Sequence, residues 1–279
     1  MNDKLLVFQT DFGRIEGTVS QMTGVALKVD PSLRIFEITH DIPRFNIWEA
    51  SYRLFQSLAS WPDDTVFVSV VDPGVGSDRK SVVVKTAGNR LIVTPDNGSL
   101  THIHRKFGIS EVRIIDESVH RAPGSEHSHT FHGRDVYGYT GALLASGRIG
   151  FDDVGDPMIP DDLILLPVEE PDERDGVLRG IIEILDVHFG NVWTNIPLSF
   201  LKEKGFLPGD RLKVKISRGD RTVYDDTVLY GRSFASVEPG EEVFYINELL
   251  YGALSVNQDS FAERYRIGSG SDWCISLSK

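Results

Sequence analysis

The chain has 279 residues, 41% hydrophobic and 25% charged, and its 29 Lys and Arg against 41 Asp and Glu leave a net charge of −12. That is globular composition, long enough for one large or two smaller domains and able to fold without a disulfide or metal staple. The acidic balance, without a basic tract or basic helical face, argues against nucleic acid and anionic membranes and makes a neutral or cationic small molecule the easier partner.

The run Leu-Leu-Val-Phe-Gln-Thr before Asp11 reads as a buried strand, after which Val19, Met22, Ala26 and Val29 recur at helical spacing. Arg34 to Thr39 predicts a second strand, and residues 48 to 59 a helix with Trp48, Tyr52, Phe55 and Leu58 on one face before Pro62 stops it. Thr65 to Val71 is strongly β-branched and ends in the turn Asp72-Pro73-Gly74-Val75-Gly76. Strands at 81–86 and 90–94, a helix from about 98, a strand at 111–115 and a helix from about 135 to 147 complete this half. Such alternation predicts an α/β layered domain with a largely parallel sheet over 1–166.

Residues 167–177 are charged and proline-bracketed and read as a linker. Beyond it, β-rich runs at 178–185, 211–217, 222–229, 242–246 and 273–278 predict a small all-β, barrel-like domain over 178–279. One cysteine cannot form an internal disulfide; Cys274 is expected as a small apolar strand residue in a reducing, cytoplasmic compartment. No apolar run approaches the roughly 20 residues of a membrane span, and Met1 to Lys4 carry no leader pattern, so a soluble, unprocessed protein is expected.

Common catalytic signatures are absent: no P-loop, no His-Glu-x-x-His, no Cys-x-x-Cys, no Gly-x-Ser-x-Gly. His127, His129, His132 and Asp135 are the one candidate metal set, but their spacing does not share a helix face and no metal is expected. Polar residues instead gather after strands: Asp11 after the first, Asp72 after the third, Pro95-Asp96-Asn97-Gly98 after the fifth. In open α/β sheets that is where ligands bind. Taken singly, each such motif is more readily an ordinary turn or cap.

Thr10-Asp11-Phe12-Gly13, Thr39-His40-Asp41-Ile42-Pro43, Val70 to Gly76 with Arg79, Pro95 to Gly98, Thr130 to Asp135 and Asp186 to Asn195 follow one another along the chain. With these six motifs in order, from residue 5 to about 266, the chain resembles the S-adenosylmethionine hydroxide adenosyltransferases, the adenosine-forming S-adenosylmethionine hydrolases related to fluorinating and chlorinating enzymes. The resemblance implies attack of water or hydroxide on the ribose 5′ carbon, with methionine leaving and adenosine formed. It implies no cofactor beyond S-adenosyl-L-methionine as substrate. It also implies a homotrimer with substrate held between the N-terminal domain of one subunit and the C-terminal domain of its neighbour.

The hydrolase Asp, Arg, His set then corresponds to Asp72, Arg79 and His132; the halogenating relatives lack the carboxylate at the Asp72 position. By the same resemblance Asp11 meets the ribose hydroxyls, Phe45 faces the sugar, and Thr130 and Phe131 line the reaction centre. Asp186 and Asn191 fall to methionine, with Asp186 pairing the ammonium. Phe189, Trp193 and Phe234 are candidates to sandwich adenine, against simple core packing for Trp193 and Phe234, and Asn257 matches the adenine edge. One departure stands out: Asn247-Glu248-Leu249 replaces the Asn-Ser, often followed by Arg, that holds the methionine carboxylate. The register is shifted by a residue, backbone groups hold the tail, or the methionine end binds weakly. Rival readings are a halide adenosyltransferase, disfavoured by the negative charge of Asp72 in a dry pocket, and a non-catalytic S-adenosylmethionine or adenosine sensor, hinted at by Glu248.

Overall fold

A computed structural model describes residues 5–279; Met1 to Lys4, read above for a leader, lie outside the described residues. The chain divides at Leu166 and Pro167 into two compact units.

The first unit is built on strands β1 (Leu5–Thr10), β2 (Arg34–Thr39), β3 (Val66–Val70), β4 (Ser81–Thr86), β5 (Leu91–Pro95), β6 (Ile109–Ile114) and β7 (Pro157–Met158). They form one sheet in the order β2-β1-β3-β5-β4-β6-β7. It is parallel through β2, β1, β3 and β5 and antiparallel through the rest. The change of sense has a local cause. Only the short segment from Ala87 to Arg90 joins β4 to β5, with Asn89 in the left-handed region, and a parallel crossover needs a dozen residues or more.

Helices α1 (Thr18–Val29), α2 (Ile47–Leu58), α3 (Thr101–Lys106) and α4 (Tyr139–Ala145) cover the sheet. Strand alternation decides which side chain meets which helix. Leu6 and Phe8 join the cluster containing Met22 and Ala26 of α1 and Ala142 of α4, while Gln9 donates to the Ala50 carbonyl of α2 at 2.9 Å. With both faces covered, β1, β3 and most of β4 are buried, which explains their unbroken apolar runs. The Asn46 side chain caps α2 by accepting from the Glu49 amide at 3.0 Å.

The second unit holds β8 (Asp172–Arg174), β9 (Val177–Asp186), β10 (Asn191–Pro197), α5 (Leu198–Glu203), β11 (Arg211–Arg218), β12 (Arg221–Tyr230), β13 (Glu242–Ile246), β14 (Tyr251–Val256), α6 (Phe261–Tyr265) and β15 (Trp273–Ser278). Strand β10 pairs with both β14 and β9, and β15 pairs with β9, so seven strands close into a barrel with β8 added outside β9. Closure removes open edges and encloses Leu178, Val192, Val214, Phe244, Leu254 and Leu277. Part of the segment read as a linker is thus the strand β8. Cys274 does lie on a strand, but its side chain is exposed between buried Trp273 and Ile275, as period-two alternation requires.

Candidate active site

Asp11 and Asp72 stand just past the carboxyl ends of β1 and β3, which are parallel neighbours paired as far as Thr10 and Val70. That register brings the two carboxylates to one cleft of about 610 Å³, also lined by Phe45, Thr130, Phe131 and His132. The Asp11 carboxylate accepts from the Phe45 amide at 2.8 Å, joining the loops after β1 and β2. Phe45 itself has φ of 65° and is 67% exposed. A bulky residue in the left-handed region stores strain that its surroundings must hold, as Asp11 does here.

Asp72 and Arg79 form the best-made ion pair of this unit. Arg79 Nε lies 3.0 Å from both carboxylate oxygens and Nη2 2.6 Å from Oδ2, and the side chains are only 5% and 8% exposed. Burial works most strongly against the charge on Arg79, but its bond to Asp72 together with the nearby Tyr137 and the negative charges of Asp72 and Glu117 outweighs it and raises its pKa. The same Nη2 lies 3.0 Å from His132 Nδ1, while Nη1 donates to Ser81 Oγ at 2.9 Å and the guanidinium rests over the Tyr137 ring. One arginine thus ties Asp72, His132 and β4 together.

His132 opens the π-helical turn Gly133–Gly138 that leads into α4. Gly133 is needed there: a Cβ would sit 2.8 Å from Phe12 Cζ. Burial first, with Arg79 and Arg121 adding, pushes the His132 pKa down against the opposing pull of Glu117 and Asp72, so the ring is neutral near pH 7. Phe131 meets Phe12 edge to face at 5.7 Å, and Arg134 stacks over it. The exposed Thr130 lies with its hydroxyl 3.3 Å from that of Ser128. Asp135, offered as part of a metal set, is buried and paired with Arg134 at 2.6 Å. Among the described residues no three His, Cys, Asp or Glu side chains converge as ligands.

A second cleft, of about 870 Å³, lies in the second unit at one end of the barrel strands. It gathers Asp186, Phe189, Asn191, Trp193, Phe234 and Asn257. Asp186 and Asn191 are cross-strand partners, joined by Asn191 Nδ2 donating to Asp186 Oδ2 at 2.8 Å. The turn between them requires Gly190, with φ of 70°, where a Cβ would fall 2.0 Å from Ser260 Oγ. Phe189 is 65% and Phe234 41% exposed, and both line the cleft. Trp193 differs: it is only 4% exposed and its Nε1 donates to the Tyr245 hydroxyl at 3.3 Å, so it forms the wall behind Phe234, which tilts over Tyr245. Asn257 spends its amide on the Val237 carbonyl at 2.8 Å and clips that loop down.

Sequence reasoning missed several residues. Glu117 and Arg121 back His132, and their spacing of four residues could have marked them as a charge pair. Arg232 lines the second cleft, and its guanidinium makes no ion pair among the described residues. Asn247 accepts from the Leu249 and Tyr251 amides at 3.0 Å, leaving its buried Nδ2 without an acceptor in the same cleft. Nothing local in the sequence marks Arg232 as a ligand donor, whereas Asn247 stands where the resemblance places the Asn of the carboxylate-binding Asn-Ser.

Known proteins match the chain over both units. The SAM hydroxide adenosyltransferase N-terminal domain matches residues 6–155 and the corresponding C-terminal domain residues 180–274. An (R)-S-adenosyl-L-methionine hydrolase of Methanocaldococcus jannaschii is 36% identical over 69% of this chain and 66% of its own length. A protein of the same name from Salinispora tropica is 33% identical over 94% of each chain, whereas a fluorinase of Actinoplanes sp. reaches 24% over 95%. In structure, an uncharacterized conserved protein from Thermotoga maritima superposes with a TM-score of 0.89 at 30% identity, covering 99% of this chain and all of the other.

Proposed function

The chain belongs to the SAM hydroxide adenosyltransferase family, and from that premise we propose that it hydrolyses S-adenosyl-L-methionine to adenosine and L-methionine, on the (R) sulfonium form that its hydrolase relatives are named for. The observation that carries the reading is the meeting of Asp72, Arg79 and His132 at the strand-end cleft that also holds Asp11.

Displacement at a saturated carbon by a sulfonium needs no acid, because methionine departs as a neutral thioether, and no oxyanion develops. The site must supply a poorly hydrated oxygen aimed in line with the breaking C–S bond. Alignment of that kind can contribute up to about 7 to 11 kcal/mol. Asp72 suits the task. Arg79 engages its oxygens from one side, and a carboxylate has about four lone-pair sites, so acceptor capacity remains for a water in the cleft. The Arg79 charge offsets Asp72 and, with the cationic substrate, favours the hydroxide-like form of that water.

Asp11, already pinned to Phe45, retains an oxygen for the ribose hydroxyls, and Thr130 and Phe131 close around the sugar. For the other end of the substrate, Phe189 and Phe234 offer ring faces to adenine, backed by Trp193, and Asp186 with Asn191 takes the ammonium. The Glu248 problem has an answer in the unpaired Arg232 and the unsatisfied Nδ2 of Asn247, two donors for the methionine carboxylate. Each cleft suits part of the substrate, which supports a homotrimer in which the N-terminal domain of one subunit meets the C-terminal domain of its neighbour. Exposed Phe45 and Val75 at one cleft and Val187 and Phe189 at the other are apolar surface that such contacts would cover. No cofactor is needed for this chemistry. A cytoplasmic, reducing location accords with the exposed free thiol of Cys274.

Incubation with S-adenosyl-L-methionine in 18O-labelled water tests the reaction. The label is expected on the 5′ oxygen of adenosine; unlabelled adenosine, or tight binding with no adenosine after hours, would overturn it. In excess chloride the product is still expected to be adenosine, since the Asp72 carboxylate repels an anion in the cleft.

A further inference from the structure

The two ring nitrogens of His132 both face guanidinium groups. Arg79 Nη2 lies 3.0 Å from Nδ1 and Arg121 Nη2 lies 3.2 Å from Nε2. A neutral imidazole has one lone pair and one N–H, so only one of these contacts is a hydrogen bond at a time, and a protonated ring would have neither. Arg121 does not act alone. Its Nη2 is 3.0 Å from Glu117 Oε2, and that same oxygen is 3.9 Å from His132 Nδ1.

Glu117 is held on its other side. Ser81 Oγ donates to Glu117 Oε1 at 2.6 Å, receives Arg79 Nη1 at 2.9 Å and lies 3.1 Å from the Tyr137 hydroxyl. The loop that carries Glu117 is folded by Asp116, whose carboxylate accepts from the Ser118 amide at 3.0 Å and hydroxyl at 2.6 Å. The charged groups facing His132 are therefore Asp72, Arg79, Arg121 and Glu117, with the His129 ring 6.2 Å away. His132 and Arg121 are 6% and 10% exposed and little screened by solvent, while Glu117, at 31%, is partly open to it.

We infer that Glu117 and Arg121 are positioning residues that set the proton state of His132: the Arg121 guanidinium facing Nε2 favours the neutral ring, and Glu117, beside Nδ1, is the anion that balances a proton on it. The two charges oppose each other: loss of Glu117 favours the neutral ring, loss of Arg121 the protonated one. An ion pair with a purely structural role would not separate in this way.

The inference rests on the proposed hydrolysis for its kinetic arm only. The kcat/KM pH profile of Glu117→Gln is expected to show its acid limb shifted down by about one pH unit, and that of Arg121→Met shifted up by a similar amount. NMR titration of the His132 ring, without substrate, should show the same opposed displacements, and Arg121→Lys, which keeps the charge, should return the midpoint most of the way to wild type. Midpoints that stay put, that move in one common direction, or that fail to recover in Arg121→Lys would overturn the assignment. Thermal unfolding accompanies each variant; should Arg121→Met not fold, Glu117→Gln against Glu117→Asp decides, with only the former expected to shift. If wild type makes no adenosine, the reaction reading fails while the titration still tests the pair.

Discussion

Arg79 reaches Asp72, His132 and Ser81 from one planar head, and each contact is nearly closed to solvent. Removing Asp72 therefore does two things at once. Asp72→Ala strands a buried guanidinium and is expected to cost about 3 to 5 kcal/mol of stability, read by denaturant unfolding. Asp72→Asn keeps the shape, and its adenosine formation should fall by about 10²- to 10⁴-fold, as should that of His132→Ala; wild-type turnover in both would refute their roles. Arg232 makes a finer test. Its partner in the proposal is a carboxylate, so Arg232→Met should raise KM for S-adenosyl-L-methionine by about tenfold or more, the value of a charged hydrogen bond, but leave KM for the decarboxylated substrate nearly unchanged. Equal losses for both substrates would place the effect elsewhere.

Helix α2 and the strands around it carry a second set of consequences. His102, at the start of α3, is fully buried, its Nδ1 2.9 Å from the Ser51 hydroxyl of α2 and its ring packed by Trp48, Tyr52 and Phe55. Burial first, then Lys106 and Arg105, lowers its pKa to about 3. The folded ring thus stays neutral where the unfolded one takes a proton. Stability from this site is complete above about pH 6.5 and declines as pH falls toward about 3, by about 2 kcal/mol at pH 5. His102→Leu should give a flatter unfolding profile between these values, and an unchanged slope would count against the assignment. In the second unit, the β9 to β10 turn depends on Gly190. Gly190→Ala should destabilise by about 2 kcal/mol or more through strain and the Ser260 clash, and should weaken binding through displaced Asp186 and Asn191.

For the whole molecule, the trimer proposal predicts that activity belongs to the assembly. Chains carrying Asp72→Ala and chains carrying Asp186→Ala should each be inactive alone, yet recover part of the wild-type rate when co-expressed, because some sites then combine two intact clefts. Native mass spectrometry reports the assembly, and mixed trimers without recovered activity would argue that each site belongs to one chain.

Much was legible in order along the chain. The run before Asp11, the β-branched third strand, the glycine-rich turn and the amphipathic second helix each have a local cause: alternation, helical period or a breaker fixes them without distant partners. The motifs with Asp72, Arg79 and His132 were readable through their order along the chain and the resemblance it carries, since each alone reads as an ordinary turn or cap. What sequence could not settle is which groups meet. Strand β14, which pairs with β10, and the pairing of β15 with β9 depend on partners far apart in sequence. The burial of Trp193, the use of the Asn257 amide on Val237, and the approach of Glu117 and Arg121 to His132 follow from packing. Local sequence determined the elements and the residue types at their ends; the proton state of His132 and the unpaired donors of Arg232 and Asn247 were decided by tertiary structure, because electrostatics in a buried site depend on distances that folding alone sets.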